Sequence, residues 1–497
     1  MKIRRLICPG IADGVNNHIY SGRVTTAGGI IQSVEAGDFA VEAPGDILLE
    51  PGQLLCPAFV DAHGHSDISV MAMPEAVGKQ AQGIAFEVSG NCGLSPFPLT
   101  EKNRAHLQEL YRQYQIPLTW SDHDSYQNEL RKRNCALELF SLTGHNTLRA
   151  AVAGYEKKHL SASELQDMQL LLDKELSAGS PGLSLGLLYV PGCFATPEEL
   201  CALLQVVARH NKICTVHLKS EGNELEEALQ ETLQIARQAN LTKLHLSHLK
   251  TAGAANHHKL PAILQALQTP YMRVTGDVYC YDASMTQLSV ILPAPFDDMD
   301  DIKLMQILQQ PEVFEQARQG LQAQRSMEYW QQVRLISAAA PFDAYCSMFL
   351  SQAAQKHNTT PAELCLQIIR QDAAGARAAF HTLSKKNMEL LAAHAAVVPG
   401  SDESARNTSY DFGISHPRGF GNHPTYFALR RSQNCNIAGI VREMSALPAE
   451  IFDLPQIGRI QSGCRAVFTV LNTGEYCARS TFAAPHTPAV GAKVITL

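Results

Sequence analysis

The chain has 497 residues, of which 45% are hydrophobic and 18% charged, a balance typical of a folded protein with a large core and an additional domain. Its net charge is −7 without a long basic block, which argues against nucleic-acid binding. No apolar run reaches the roughly 18 residues of a membrane span. The thirteen cysteines are odd in number and contain no CxxC pair, so we expect reduced thiols and a cytoplasmic protein.

Residues 1–56 are predicted to form a small antiparallel β unit. Short runs rich in Val, Ile and Thr alternate there with glycine turn signals, as in 22–29 and 30–37. After Asp453 the sequence returns to short β segments, so residues 453–497 are predicted to complete the same unit. The two chain ends would together build one β-sandwich.

Between these ends, over residues 57–452, apolar strands alternate with amphipathic helices. Strands are predicted at 137–142, 213–217 and 243–248, and helices at 161–178, 196–210 and 224–239. This alternation is typical of βα units around a parallel sheet, so we predict an α/β fold with a TIM-like (β/α)₈ barrel. A doubly wound dinucleotide-binding sheet is disfavoured because no Gly-x-Gly-x-x-Gly follows the first strand. Residues 284–340 interrupt the pattern and are predicted to form a lid.

Two histidines separated by one residue follow the apolar run 54–59. Alternate residues of a strand share a face, so His63 and His65 can both reach one metal ion. The site would lie at the C-terminal edge of the sheet, where parallel barrels carry their active sites. On this spacing alone, a structural role for both histidines stays open.

Four further residues stand where other predicted strands end. They are Cys92, which has Gly90 and Gly93 nearby, and His217, His248 and Asp402. Each alone has an ordinary explanation, such as a hydrogen-bonding histidine or an aspartate that caps a helix. Together, imidazole, thiolate and carboxylate ligands suit zinc.

On these motifs the chain resembles the amidohydrolase superfamily and, within it, the D-aminoacylase (N-acyl-D-amino-acid deacylase) family. The matching segments are 60–67, 90–93, 144–149, 182–189, 217–221, 247–250, 277–281, 400–402 and 416–418. The Asn-Cys-Gly segment at 91–93 is the most specific of them. The resemblance covers essentially the whole chain.

The resemblance implies a zinc enzyme with one tight metal site and a second, weaker one. Cys92, His217 and His248 would hold the tight zinc, and Cys92 would also be able to bridge to the weaker position at His63 and His65. Asp402 would act first as the general base and then as the general acid.

The resemblance also implies a substrate with a free α-carboxylate. Lys250, Tyr189, Tyr281 and Arg418 would bind it, although a solvated lysine and core tyrosines are the ordinary alternatives. The interval from Asp402 to His416 is longer than in the family pattern, which would reshape the site beside the general base.

We therefore predict a hydrolase that converts N-acyl-D-amino acids, small-molecule amides, into a carboxylate and a free D-amino acid. Alternative substrates are a dipeptide with a C-terminal D-residue and a cyclic amide of the hydantoin or dihydroorotate type. Cys92 disfavours the cyclic amides, because a bridging carbamylated lysine is usual in that branch. An alternative of another class is a non-catalytic metal-binding protein, which would not need Asp402. The sequence does not indicate whether the protein is a monomer or an oligomer.

Overall fold

Eight parallel strands form a closed barrel in the computed structural model, which describes residues 3–497. Adjacent strands pair in parallel, and the ring closes where the Ala62 N–H donates to the Pro399 carbonyl oxygen at 3.3 Å. The predicted (β/α)₈ barrel is therefore confirmed. In chain order its strands are Phe59–Asp61, Ile84–Ser89, Glu138–Ser141 continued by Thr143–Gly144, Gly182–Gly186, Ile213–His217, Lys243–Leu246, Arg273–Val278 and Val397–Pro399.

Helices surround the barrel, and three of them test the sequence prediction directly. They run over Ala162–Ser177, Pro197–Arg209 and Leu225–Gln238, within one residue of the predicted bounds at either end. Ser161 and Thr196 cap the first two by accepting the N–H of the third helical residue. The other helices outside the insertion described below are Ser69–Ala72, Val77–Gln80, Arg104–Leu110, His123–Lys132, His145–Ala153, Leu260–Leu267, Lys385–Ala392, Arg418–Ser432, Ile437–Met444 and Ala446–Ile451, with 3₁₀ turns at Arg112–Tyr114, Gly192–Phe194 and Ala254–Lys259.

A seven-stranded sheet contains strands from both ends of the chain, as predicted for the sandwich. Val467–Asn472 pairs antiparallel with Gln53–Pro57, which joins the two ends. An antiparallel bridge between Ile30 and Arg465 joins the strand Ile30–Ala36 to the chain just before Val467–Asn472, so the two sides of the sheet meet. The core that they enclose includes Leu55. Its strands are Ile3–Ile11, Tyr20–Ala27, Ile30–Ala36, Ile47–Leu48, Gln53–Pro57, Val467–Asn472 and Ala492–Thr496.

An insertion between the seventh and eighth barrel strands has its own core, which includes Leu304, Trp330 and Leu364. Its antiparallel sheet places Arg377–Phe380 between Ser284–Gln287 and Val333–Ser337. The segment 284–340 predicted as a lid lies within this unit. Its helices are Asp301–Ile307, Pro311–Gln324, Met327–Trp330, Leu350–Lys356 and Pro361–Asp372, with 3₁₀ turns at Leu288–Ile291 and Phe342–Tyr345. Among residues 3–497, no helix is both long and apolar enough to cross a bilayer.

Candidate active site

Four of the predicted site residues meet at the C-terminal mouth of the barrel. Ligand atoms of His63, Cys92, His248 and Asp402 all lie within 4.8 Å of one another. The Cys92 Sγ is 3.5 Å from the His63 Nε2 and 3.4 Å from the His248 Nε2, so the thiol lies between the two imidazoles. These residues follow the ends of strands 1, 2, 6 and 8, so barrel closure, and not sequence proximity, assembles the cluster.

The backbone of this cluster is unusual. Cys92, His248 and Asp402 have φ values of 53°, 36° and 51°, in the left-handed region that residues with a Cβ rarely adopt. Such conformations cost roughly 1–3 kcal/mol each and concentrate at functional sites. The close approach of the Cys92 loop to the fourth strand also requires Gly186, because a Cβ there would overlap the Cys92 carbonyl oxygen.

His65 and His217 complete the predicted ligand set on opposite sides of the cluster. The His65 Nε2 is 3.1 Å from Asp402 Oδ1, and the His217 Nδ1 is 2.8 Å from the His248 Nε2. The Nε2 of His217 is buried and has no hydrogen-bond partner among the described residues. His217 and His248 also form a compact group with Glu221, which the sequence did not predict as a site residue.

Two carboxylates orient the imidazoles from behind. Asp277 Oδ2 accepts from His63 Nδ1 at 3.1 Å and from His245 Nε2 at 3.0 Å. Glu221 Oε1 lies 2.9 Å from the His248 Nδ1. A histidine that donates its Nδ1–H leaves Nε2 bare as a metal ligand, and such carboxylates are common behind metal-binding histidines. The Nε2 atoms of His63 and His248 accordingly face Cys92.

The donor chemistry fits a zinc ion. Burial alone would raise the pKa of the Cys92 thiol, but the neighbouring His248 and His63 bring this pKa well below its ordinary value. A thiolate beside imidazole nitrogens is a donor set that zinc prefers. His217 lies beside this set through its Nδ1, 2.8 Å from the His248 Nε2.

A cavity of about 290 Å³ opens above the cluster, and the insertion supplies part of its wall. Arg418 lies at its inner end, where one guanidinium nitrogen is 2.9 Å from Asp402 Oδ2. The Nε and Nη1 of Arg418 and the hydroxyl of Tyr279 are buried without hydrogen-bond partners among the described residues. Buried donors of this kind are costly unless an acceptor binds them, so this corner is suited to an anion.

The cavity contains three of the four residues predicted to bind the substrate. Lys250, Tyr189 and Arg418 line it, and the Lys250 Nζ is 2.6 Å from Glu221 Oε1. Tyr281 is not among the lining residues, because its hydroxyl points to the Pro417 carbonyl oxygen at 3.4 Å. Tyr279, two residues earlier, lines the cavity instead.

Several supporting residues were not predicted from the sequence. Glu221 and Asp277 lie within two of the motifs that carry the family resemblance, but neither of them was assigned a role from the sequence. Lys79 and Glu87, which are buried behind the histidine pair, carry no motif signal at all.

Comparison with known proteins gives relatives along most of the chain, although no protein-family model matches it. An N-acyl-D-glutamate deacylase from Alcaligenes xylosoxydans xylosoxydans is 28% identical over 463 residues, covering 92% of this chain and 84% of that protein. An N-acyl-D-aspartate deacylase from the same organism is 32% identical over 284 residues, 56% of each chain.

Solved structures share the fold. The N-acyl-D-glutamate deacylase from Bordetella bronchiseptica, complexed with zinc and a phosphonate inhibitor, matches with a TM-score of 0.81 at 24% identity, covering 99% of this chain and 95% of that chain. A D-aminoacylase structure matches with a TM-score of 0.80, also at 24% identity and with the same coverage. These matches confirm the barrel with its β-sandwich, and the relatives confirm the resemblance inferred from the motifs.

Proposed function

We propose that this chain, which belongs to the D-aminoacylase family of the amidohydrolase superfamily, is a zinc-dependent enzyme that hydrolyses N-acyl-D-amino acids to a carboxylate and a free D-amino acid. The observation that carries the proposal is the convergence of Cys92, His248 and Asp402 at the barrel mouth, with ligand atoms within 4.8 Å of one another. The deacylase relatives, one of them 28% identical over 92% of the chain, support the choice of substrate.

The zinc-binding residues would be divided between two positions. Cys92, His217 and His248 would hold the tight zinc, while His63 and His65 would hold a weaker second ion that Cys92 is placed to share. When bound, zinc lowers the pKa of water to about 7 and stabilises negative charge on the oxygen of a carbonyl under attack.

Asp402 would move the protons. Burial alone would raise its pKa, but Arg418 and His248 hold the pKa well below its usual range, so the side chain is an ionised proton acceptor at neutral pH. After it takes a proton from the attacking water, the carboxylic acid can deliver that proton to the amide nitrogen. This second transfer is needed because an unprotonated amine is a poor leaving group.

Arg418, Lys250 and Tyr279 would bind the α-carboxylate of the substrate. The guanidinium lies 4.4 Å from the Tyr279 ring centroid, and two of its nitrogens are free to donate. A carboxylate in this corner would satisfy donors that the protein leaves unpaired. Binding there would also place the adjoining amide beside Asp402, since Arg418 contacts both the side chain and the backbone carbonyl of that residue.

The replacement Asp402→Asn tests this proposal because it removes the proton acceptor and keeps the shape. We expect kcat to fall by roughly 10²–10⁴-fold, the usual contribution of a general acid–base group. Zinc bound per chain should stay unchanged. Amine release from an N-acetyl-D-amino acid and metal analysis measure the two quantities. The exposed Asp38→Asn serves as the matched control. Full activity of the Asp402 variant would refute the proposed mechanism.

A further inference from the structure

A lysine is completely buried behind the histidine pair. Lys79 belongs to the short helix Val77–Gln80, and its side chain is 0% exposed. Its Nζ lies 2.6 Å from Asp61 Oδ2 and 2.8 Å from Glu87 Oε2. A buried lysine is rare unless it is paired, and here oxygen atoms surround the ammonium group.

The remaining contacts of Lys79 reach the loop that carries the general base. Its Nζ donates to Ser401 Oγ at 2.7 Å and to the Glu403 carbonyl oxygen at 2.9 Å. These two residues flank Asp402 on either side. One ammonium group therefore contacts both neighbours of the general base and does not contact the base itself.

Asp61 extends the network to the first histidine. Its Oδ1 accepts the backbone N–H of Ser401 at 2.8 Å and that of His63 at 3.3 Å. The ends of strands 1 and 8 are thus bound to the same carboxylate, and that carboxylate is bound to Lys79. The predicted metal ligand His63 and the general base Asp402 share this support.

Glu87 fixes the backbone within and just after the histidine pair. It accepts the backbone N–H of Ser66 at 2.9 Å and its hydroxyl at 2.7 Å. Its carboxyl group also lies so close to Gly64 that a Cβ at that position would overlap it. The glycine of the His-x-His motif is therefore required by the buried acid, and Lys79 holds that acid in place.

We infer that Lys79 is a positioning residue, which sets the relative placement of the His63–His65 turn and Asp402 through Asp61, Glu87 and the neighbours of the base. The inference rests on the proposed function for its kinetic consequence. Lys79 does not line the cavity, so it acts on the reaction only through the groups that it holds. Its loss would leave two buried carboxyl groups without their shared cation and would loosen both loops.

Lys79→Met tests the inference because methionine keeps a long apolar stem and removes the charge. We expect kcat of the zinc-loaded variant to fall about 100-fold, the effect of an approximately 1 Å displacement of a reacting group. The KM should stay within about twofold, since the Lys79 ammonium group contacts none of Lys250, Tyr279 and Arg418. Lys132→Met, at an exposed position on an outer helix, is the matched control.

A second readout does not depend on turnover. The visible spectrum of the cobalt-substituted protein reports the ligand geometry, and we expect it to change in Lys79→Met and to stay unchanged in Lys132→Met. Ser401→Ala is a milder change, because it removes one Lys79 contact and the hydrogen bond from Ser401 Oγ to Asp61 Oδ2 but keeps the buried ammonium group. In this variant kcat should fall by a smaller factor. Unchanged kcat per folded, metal-loaded molecule together with an unchanged spectrum would overturn the inference. If the wild type hydrolyses no substrate, the proposed function fails, and the cobalt spectra alone decide the role of Lys79.

Discussion

Removing the charge of Glu221 would test how the structure orients His248, a proposed metal ligand. Glu221 Oε1 lies 2.9 Å from His248 Nδ1 and 2.6 Å from Lys250 Nζ, and its side chain is only 14% exposed. Burial alone would raise the pKa of Glu221, yet Lys250 and His248 bring it to about 2, so this carboxylate is charged at neutral pH. The Lys250 Nζ also lies 2.8 Å from the Nδ1 of His248, so Glu221 holds both the imidazole and this ammonium group. A charged carboxylate beside Nδ1 favours metal binding through the Nε2 of His248.

Glu221→Gln keeps the size of the side chain and weakens this acceptor. Loss of such a supporting carboxylate typically reduces metal affinity by about 10- to 100-fold, or about 1.4–2.7 kcal/mol. Competition for zinc between the protein and a chelator, at fixed pH, measures the change. Glu226→Gln, at the exposed start of the helix Leu225–Gln238, is the control and should bind zinc like the wild type. A zinc affinity of Glu221→Gln within twofold of the wild type would refute the reasoning.

Two further replacements probe the surroundings of the histidine pair. In Gly64→Ala the new Cβ would overlap the Glu87 carboxyl, so we expect loss of the weaker metal position, measured as the zinc-to-protein ratio at saturating zinc; an unchanged ratio would contradict this. Burial lowers the pKa of His423 from its ordinary 6.5 to about 4. As the pH falls, this histidine therefore becomes protonated in the unfolded chain before it does so in the folded protein. The contribution of neutral His423 to the free energy of unfolding is fully present above pH 6.5. It decreases by about 3 kcal/mol as the pH falls toward 4. His423→Gln should therefore flatten the decline in urea midpoint between pH 7 and 4.5, and an equally steep decline would refute the assignment.

The barrel was predictable because several of its strands and helices have a clear local signal and alternate along the chain. The helix Pro197–Arg209 illustrates this: Thr196 caps it, proline opens it, and its apolar residues recur with helical spacing. The grouping of the proposed metal ligands was predictable for a related reason. A parallel barrel brings all of its strand ends to one face, so His217 and His248 had to lie near His63 once the strands were identified.

The supporting network was not predictable, because its contacts join distant parts of the chain. Lys79 and Ser401 are 322 positions apart, and nothing in the sequence around either residue indicates the partner. Tyr281 was predicted to bind the substrate, but Tyr279 lines the cavity instead. Both residues follow the strand Arg273–Val278, and only the path of the chain beyond it determines which ring reaches the cavity. The strand Arg377–Phe380, at the far end of the insertion, pairs with Ser284–Gln287, a shorter but still long-range contact of about 90 positions.

The most direct test of the proposed function is hydrolysis of paired N-acetyl-D- and N-acetyl-L-amino acids by the zinc-loaded protein, scored as free amine released. The proposed function predicts turnover of D-members of the panel only. The side chain of the best substrate would then show which size and charge the cavity accepts. Turnover of L-members, or none across the panel by protein with bound zinc, would contradict it. In the second case, dipeptides with a C-terminal D-residue would be the next substrates to test.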